Sequence, residues 1–349
     1  MENMNSINPI EEKSSTQDTE LNLALEIAEH INEKSNLDER LRAFHEIISL
    51  LHLVDYPEMM PHGLEVFSDR SLSPADINFI VHVKNQYDAY LNGGNVKPIQ
   101  VFILNQKHWP VIAKCFGSND PFSGQSQEIP VTPFGMPSVM LPSVDAVALE
   151  TERKVMFRQL TETNIEISKV LDNMDDNDKE EAYKLFYLRS MMAHEILHLY
   201  QFSQNEIAAI NFLSEDEMQK AVEIEKFLPL REWLACAMSL YVLKDEPTNR
   251  MKILLGAYEI AAEKFKSAQS LSPEQRYPLH QSFRAIQANR FLILCGERSA
   301  DPVSLLAKMN RLCVSEDSQI KLRLQEILEG EMNEEKFDQI LNLLYQIPD

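Results

Sequence analysis

The sequence is short of glycine and of positive charge, and each shortage argues against a class of protein. Its 349 residues include only 9 glycines. Because turns and hairpins consume glycine, this scarcity favours helices over a fold rich in β-structure. The chain has 33 lysine and arginine residues against 54 aspartate and glutamate residues, which gives a formal net charge of −21. A chain this acidic repels nucleic acids and anionic membranes, so we expect neither as a partner.

Cysteine pairs and long apolar runs are missing as well. No Cys-x-x-Cys pair occurs, and the cysteines lie far apart in the chain: Cys115, Cys236, Cys295 and Cys313. This spacing predicts reduced, mostly buried thiols and a reducing compartment. No stretch reaches the roughly 18 apolar residues of a membrane span, and the polar N-terminus has no apolar signal-peptide core. We therefore expect a cytoplasmic protein without a membrane span.

Helical periodicity runs along most of the chain. Apolar residues recur at helical spacing over residues 21–53, 74–91, 150–171, 179–202, 230–243 and 252–344. The apolar run over residues 98–104 predicts a buried strand. Short extended pieces follow between 129 and 142, where prolines predict sheet edges or irregular paths. The predicted fold is mostly α with a small β-sheet (α+β).

These patterns divide the chain into four predicted segments. Residues 1–20 are polar and predict a disordered tail. A helical N-terminal region follows over residues 21–95. Residues 96–245 hold the predicted small sheet and two apolar helices, and residues 246–349 form a helical C-terminal region.

The stretch from His194 to His198 has the pattern His-Glu-x-x-His inside an apolar helix. Residues four apart share one face of a helix, so His194 and His198 can present two imidazoles to one ion. Glu195 is the next residue round the helix and can reach a water on that ion. The apolar neighbours predict a buried helix, in which a divalent metal would supply the partners that these groups need. The alternative is two solvated or core-satisfied histidines beside an ordinary surface glutamate.

A second apolar helix begins near Leu230 and carries Glu232 at its start. No charged residue lies between Glu232 and Lys244, so the helix is predicted to be buried. A carboxylate on such a helix should be paired or should coordinate a metal. The small residues Ala235 and Ser239 would let another helix approach closely. Acids between the two helices compete with Glu232 for this role: Glu206, Glu215, Asp216, Glu217, Glu223 and Glu225.

Together, His194-Glu195-Ile196-Leu197-His198 and Glu232-Trp233-Leu234-Ala235 resemble the gluzincin class of zinc metallopeptidases. The resemblance implies a zincin-like catalytic core over residues 96–245. It implies that His194, His198 and Glu232 bind Zn²⁺ and that Glu195 is the general base. The implied activity is hydrolysis of peptide bonds in a protein or peptide substrate. A metzincin would need a third histidine shortly after the motif, and residues 199–204 contain none.

Some compact gluzincins also carry a downstream His-Pro segment followed by an arginine. The corresponding segment here departs from that pattern, because Tyr277 stands before Pro278 and Arg284 is shifted. The resemblance implies that Tyr277 or His280 polarises the substrate carbonyl. The alternative is a helix that begins with an N-terminal proline.

Two other interpretations stay open. A helical protein-interaction scaffold with a structural or vestigial zinc site would account for the many downstream helices and the acidic surface. The glutamate-rich stretch over residues 329–335 resembles secretion signals of bacterial effector proteins, which predicts export to a host cell by a non-classical route. The alternative for that stretch is an ordinary acidic helix cap. The oligomeric state and the identity of the substrate do not follow from the sequence.

Overall fold

A computed structural model describes most of the chain. It covers residues 9–31, 37–56, 63–105, 107–115, 127–129, 138–142, 185, 189–201, 226–246, 248–267, 273–315 and 317–347. Over these residues the protein is mostly helical with one small mixed sheet. This confirms the predicted fold class.

The helices and strands follow one another along the chain. In order they are α1 (Pro9–Ile31), α2 (Leu37–Leu50), β1 (Val54–Asp55), β2 (Leu64–Ser68), α3 (Pro74–Leu91), β3 (Ile99–Leu104), α4 (Trp109–Cys115), β4 (Gln127–Ile129), β5 (Ser138–Pro142), α5 (Met191–His198), α6 (Leu228–Val242), α7 (Thr248–Ser267), α8 (Pro273–Glu297), α9 (Pro302–Val314), α10 (Ser318–Leu328) and α11 (Glu334–Leu344).

The chain splits into two compact units by its contacts. One comprises Met1–Ser73 and Pro98–Ser143, and the other comprises Pro74–Lys97 and Val144–Asp349. All five strands belong to the first unit, whereas α5 and α6 belong to the second. The segment boundaries near residues 95 and 245 stay predictions, whereas α1 runs without a break across the boundary predicted near residue 20.

The sheet of the first unit has the strand order β1-β2-β3-β5-β4. The three inner strands are parallel, and the two outer strands run antiparallel to their neighbours. All six residues of β3 are buried, which confirms the strand predicted over residues 98–104. A parallel strand covered on both faces has this continuous apolar pattern.

Three features of this unit differ from the sequence prediction. The strand β2 was not predicted, because its five residues are too few to show a clear alternation. The strand β5 lies between β3 and β4, although its prolines predicted a sheet edge or an irregular path. Pro142 is the last residue of that strand, so it interrupts the ladder only at its end. The helix α1 begins at Pro9 rather than at about Leu21, and proline is well tolerated at a helix start.

The helix α6 is the central helix of the second unit. It packs against α5, α8, α9 and α10, and every residue over 230–240 is buried, as predicted. Trp233 contacts Phe291 of α8 edge to face, with ring centroids 5.5 Å apart. Phe291 in turn packs on Phe337 of α11 at 5.3 Å. These aromatic contacts tie the C-terminal helices to α6.

Several further predictions are tested by the described residues. All four cysteines are buried and none of them forms a disulfide bond, which confirms the prediction that they are mostly buried and unpaired with one another. Asn333 caps α11, and Glu334 and Glu335 lie in its first turn, so that part of the glutamate-rich stretch begins a helix. Export to a host cell stays a prediction.

The helix predicted over residues 150–171 lies outside the described residues. Within the described part of the chain, no helix is long and apolar enough to cross a membrane.

Candidate metal centre

Two helices bring three predicted ligands together. The helix α5 carries His194 and His198 one turn apart, and α6, which packs against α5, carries Glu232. One ligating atom from each of the three side chains lies within 4.8 Å of the others. No other group of three His, Cys, Asp or Glu side chains in the described residues comes together in this way. This group could hold a metal ion.

The distances within the group suit a small ion. His194 Nε2 lies 3.2 Å from Glu232 Oε2, and His198 Nε2 lies 3.6 Å from Glu232 Oε1. The two imidazole rings cross at 80°, with centroids 4.9 Å apart. Ligand atoms bound at about 2.0–2.2 Å around a tetrahedral ion lie about 3.4 Å from one another. The observed spacing therefore fits tetrahedral ligation, and it also fits ion pairs between the carboxylate and protonated imidazoles.

The three side chains are partly or nearly fully buried, so the carboxylate needs the two imidazoles as charge partners. Glu232 is 6% exposed and His198 is 2% exposed, whereas the side chain of His194 is 16% exposed. A buried carboxylate that lacks a charge partner is strongly destabilising. The partly exposed ring of His194 lies on the side of the group that solvent reaches.

The pKa shifts within the group favour an ionised Glu232 and a protonated His194. Burial opposes ionisation of Glu232, but His198, His194 and Gln281 outweigh it and hold the pKa of that carboxyl well below its usual range. Burial also lowers the pKa of His194, yet Cys236 and Glu232 outweigh burial and raise that pKa well above its usual value. A metal ion bound here would take the place of the imidazole proton.

A buried glutamine fixes the ring of His198. His198 Nδ1 lies 2.6 Å from Gln201 Oε1, and Gln201 Nε2 donates to the carbonyl of Arg231 at 3.0 Å. Because the amide nitrogen is committed to that carbonyl, Oε1 must accept from His198 Nδ1–H. The neutral ring therefore keeps its lone pair on Nε2, the atom that faces Glu232. Metal-binding histidines usually have an outer hydrogen bond of this kind.

Cys236 and Gln281 contact the other two members of the group. Cys236 Sγ lies 3.9 Å from His194 Nδ1, so sulfur faces the nitrogen that points away from Glu232. Gln281 lies on α8, and its Nε2 donates a hydrogen bond to Glu232 Oε2. The carboxylate is thus held from α5 and from α8 at once.

Glu195 lies next to this group on α5. It is half-buried, and no described residue forms a hydrogen bond with its carboxylate. A carboxylate in this setting can accept a proton from a water molecule beside His194 and His198.

The side of α5 that meets α3 is anchored by hydrogen bonds. Tyr87 donates to the carbonyl of Ala193 at 2.7 Å, and Tyr200 donates to Asp88 at 2.8 Å. Asp88 also pairs with Lys84, which is 1% exposed. These contacts fix the backbone at both ends of the segment that carries the two histidines.

The remaining predicted site residues lie on α8 or outside the described residues. Tyr277 and His280 belong to α8, and His280 is half-buried on the turn that carries Gln281. Their predicted role stays a prediction. The acids that compete with Glu232, which lie between residues 206 and 225, are outside the described residues.

Sequence reasoning missed Gln201 and Gln281. Gln201 follows His198 by three residues, so helical spacing could have placed it near that ring. Gln281 is separated from Glu232 by 49 residues, and no local pattern links them.

Comparisons of this chain with protein-family models, with curated proteins and with solved structures found no match. The support for the candidate metal centre therefore comes from its own side chains. The supporting features are the two Nε2 atoms that face one carboxylate, the Gln201 amide that orients the ring of His198 and the Gln281 amide that donates to the carboxylate.

Lys97 offers a test of the packing around α5. Its Nζ donates to the carbonyl of Leu199 and lies 5.0 Å from the ring centroid of Tyr200. Burial lowers the pKa of Lys97 to about 8, with Asp88 opposing that shift and Lys84 adding to it.

We predict that the wild-type protein gains stability relative to Lys97→Met as the pH rises from about 8 to about 10. The unfolded chain keeps this lysine protonated up to a pKa of about 10.4. In that window it binds more protons than the folded chain, so the free energy of unfolding increases with pH. Denaturant unfolding of both proteins at several pH values measures the difference. A difference that does not change with pH would contradict the lowered pKa that partial burial gives Lys97.

Proposed function

We propose that this protein is a zinc-dependent metallopeptidase with a gluzincin-like centre. The observation that carries the proposal is the meeting of His194, His198 and Glu232 beside Glu195 on the same helix. The sequence order of these residues and their grouping agree with the His-Glu-x-x-His plus distal glutamate pattern.

The donor set supports zinc over other common ions. Two imidazole nitrogens and one carboxylate oxygen are a ligand set typical of catalytic zinc sites. Calcium and magnesium prefer sites built from oxygen atoms alone. Three protein ligands also leave one coordination position open to water, which a hydrolytic site requires.

The chain's own residues would move the proton. When bound, zinc lowers the pKa of a water molecule and polarises the substrate carbonyl. Glu195 takes the proton from the attacking water and returns it to the amine nitrogen as the carbon–nitrogen bond breaks. Glu232 and the two histidines would hold the ion, and the hydrogen bond that His198 Nδ1–H donates to Gln201 would leave the lone pair of the neutral ring on Nε2, the atom that faces the ion. Tyr277 and His280 remain the candidates for polarising the carbonyl oxygen from α8.

A second candidate function is a helical interaction scaffold with a structural zinc site. The observation that favours it is the near-complete burial of His198 and Glu232, since a structural zinc site offers no coordination position to water. The partial exposure of His194 and Glu195 favours the peptidase.

We predict that the purified protein binds one zinc ion per chain and that His194→Ala and Glu232→Ala each lose it. Each variant removes one of three ligands, which leaves too few protein donors for tight binding. His45→Ala is the matched control, because His45 is exposed on α2 and should leave the zinc content unchanged. Elemental analysis after dialysis measures the ratio. Zinc retained by Glu232→Ala would assign the third ligand to the acids between residues 206 and 225.

We predict that Glu195→Gln keeps the zinc but lowers peptide hydrolysis by about 10²–10⁴-fold, the contribution typical of a general base. The assay incubates zinc-loaded protein with a mixed peptide library and detects new termini by mass spectrometry. Cleavage by Glu195→Gln at the wild-type rate would rule out this mechanism. An absence of cleavage by the zinc-loaded wild type would favour the scaffold.

A further inference from the structure

Gln281 makes two kinds of contact that together orient its amide. Its Nε2 donates to Glu232 Oε2. Its Oε1 accepts from an Nη of Arg284 at 3.4 Å and lies 3.9 Å from Cys236 Sγ. Arg284, one turn further along α8, is itself only 8% exposed. The amide therefore lies between a buried guanidinium and the carboxylate of the candidate metal centre.

The chemistry of the two neighbours allows only one orientation of this amide. An ionised carboxylate only accepts hydrogen bonds, and a guanidinium only donates them. The NH₂ group of Gln281 must therefore face Glu232, and its carbonyl must face Arg284. A flipped amide would place oxygen against oxygen and nitrogen against nitrogen.

We propose that Gln281 is a positioning residue that holds the Glu232 carboxylate in its ligating orientation and so sets the affinity of the centre for a divalent metal ion. This inference rests on the proposed function, because it requires that the group binds an ion. Gln281 would orient the Glu232 carboxylate by a hydrogen bond, as Gln201 orients the ring of His198. Each ligand that is nearly fully buried would then have its own glutamine amide.

The physical basis is that Gln281 orders the Glu232 side chain before the metal ion binds. A glutamate side chain has several rotatable bonds, and restricting them costs conformational entropy. With Gln281 in place, that cost is met when the chain folds rather than when the ion binds. Loss of an outer hydrogen-bond partner of a metal ligand typically weakens metal binding by about 10–100-fold.

The test compares two substitutions of the same kind on α8. Gln281→Met keeps the length of the side chain and removes the donor to Glu232. Gln287→Met is the matched control, because Gln287 is also buried and its Oε1 accepts from the backbone of Met332 rather than from a ligand. The dissociation constant for Zn²⁺ is measured on the full-length chain by competition with a chromogenic chelator. The visible spectrum of the Co²⁺-loaded protein reports on the ligand geometry.

We expect Gln281→Met to bind Zn²⁺ about 10–100-fold more weakly than the wild type, as for other outer partners of metal ligands, and to alter the Co²⁺ spectrum. Gln287→Met should match the wild type in both measurements. Should Gln281→Met fail to fold, Gln281→Asn keeps the amide but shortens its reach, and its Zn²⁺ affinity should fall in the same direction.

Three outcomes would overturn the inference. If a folded Gln281 variant binds Zn²⁺ as tightly as the wild type, Gln281 has no positioning role, although the group does bind zinc as proposed. If both methionine variants weaken binding equally, the effect is one of general stability. If the wild type binds no Zn²⁺, the proposed function fails, and the role of Gln281 fails with it.

Discussion

The second unit depends on one buried carboxylate. Glu232 enters the interior on α6, a helix that is buried over residues 230–240. Such a group is tolerated only where charge partners and hydrogen-bond donors surround it. His194 and His198 on α5 and Gln281 on α8 are those partners. The need to satisfy one carboxylate therefore specifies where three helices meet, and the same meeting point creates the candidate metal centre.

Contacts beyond the centre keep the histidines in place. The hydroxyl of Tyr87 holds the backbone at Ala193, and the side chain of Asn310 donates to the carbonyl of Tyr200 at 3.2 Å. These bonds come from α3 and α9, so the backbone around the two histidines is fixed from two further helices. Side-chain ligands placed on rigid helices hold their geometry better than ligands placed on loops.

The grouping of the three candidate ligands was predictable from the sequence because their signals are local. His194 and His198 share a helical face by spacing alone, and Glu232 is the last charged residue before a long uncharged run in α6. Gln281 could not be predicted, since its contact with Glu232 arises from the packing of α8 on α6 and no spacing rule encodes it. Prediction of the strands has the same limit, since pairing between distant segments is not encoded in local spacing. The strand β3 is a continuous apolar run, whereas β2 is short and depends on pairing with β3.

X-ray absorption at the zinc edge of the zinc-loaded protein tests the His-His-Glu centre most directly. We predict nitrogen and oxygen ligands at about 2.0–2.2 Å, scattering from two imidazole rings, and no sulfur at about 2.3 Å. A sulfur shell would mean that a cysteine such as Cys236 binds the ion, and it would contradict the centre described here.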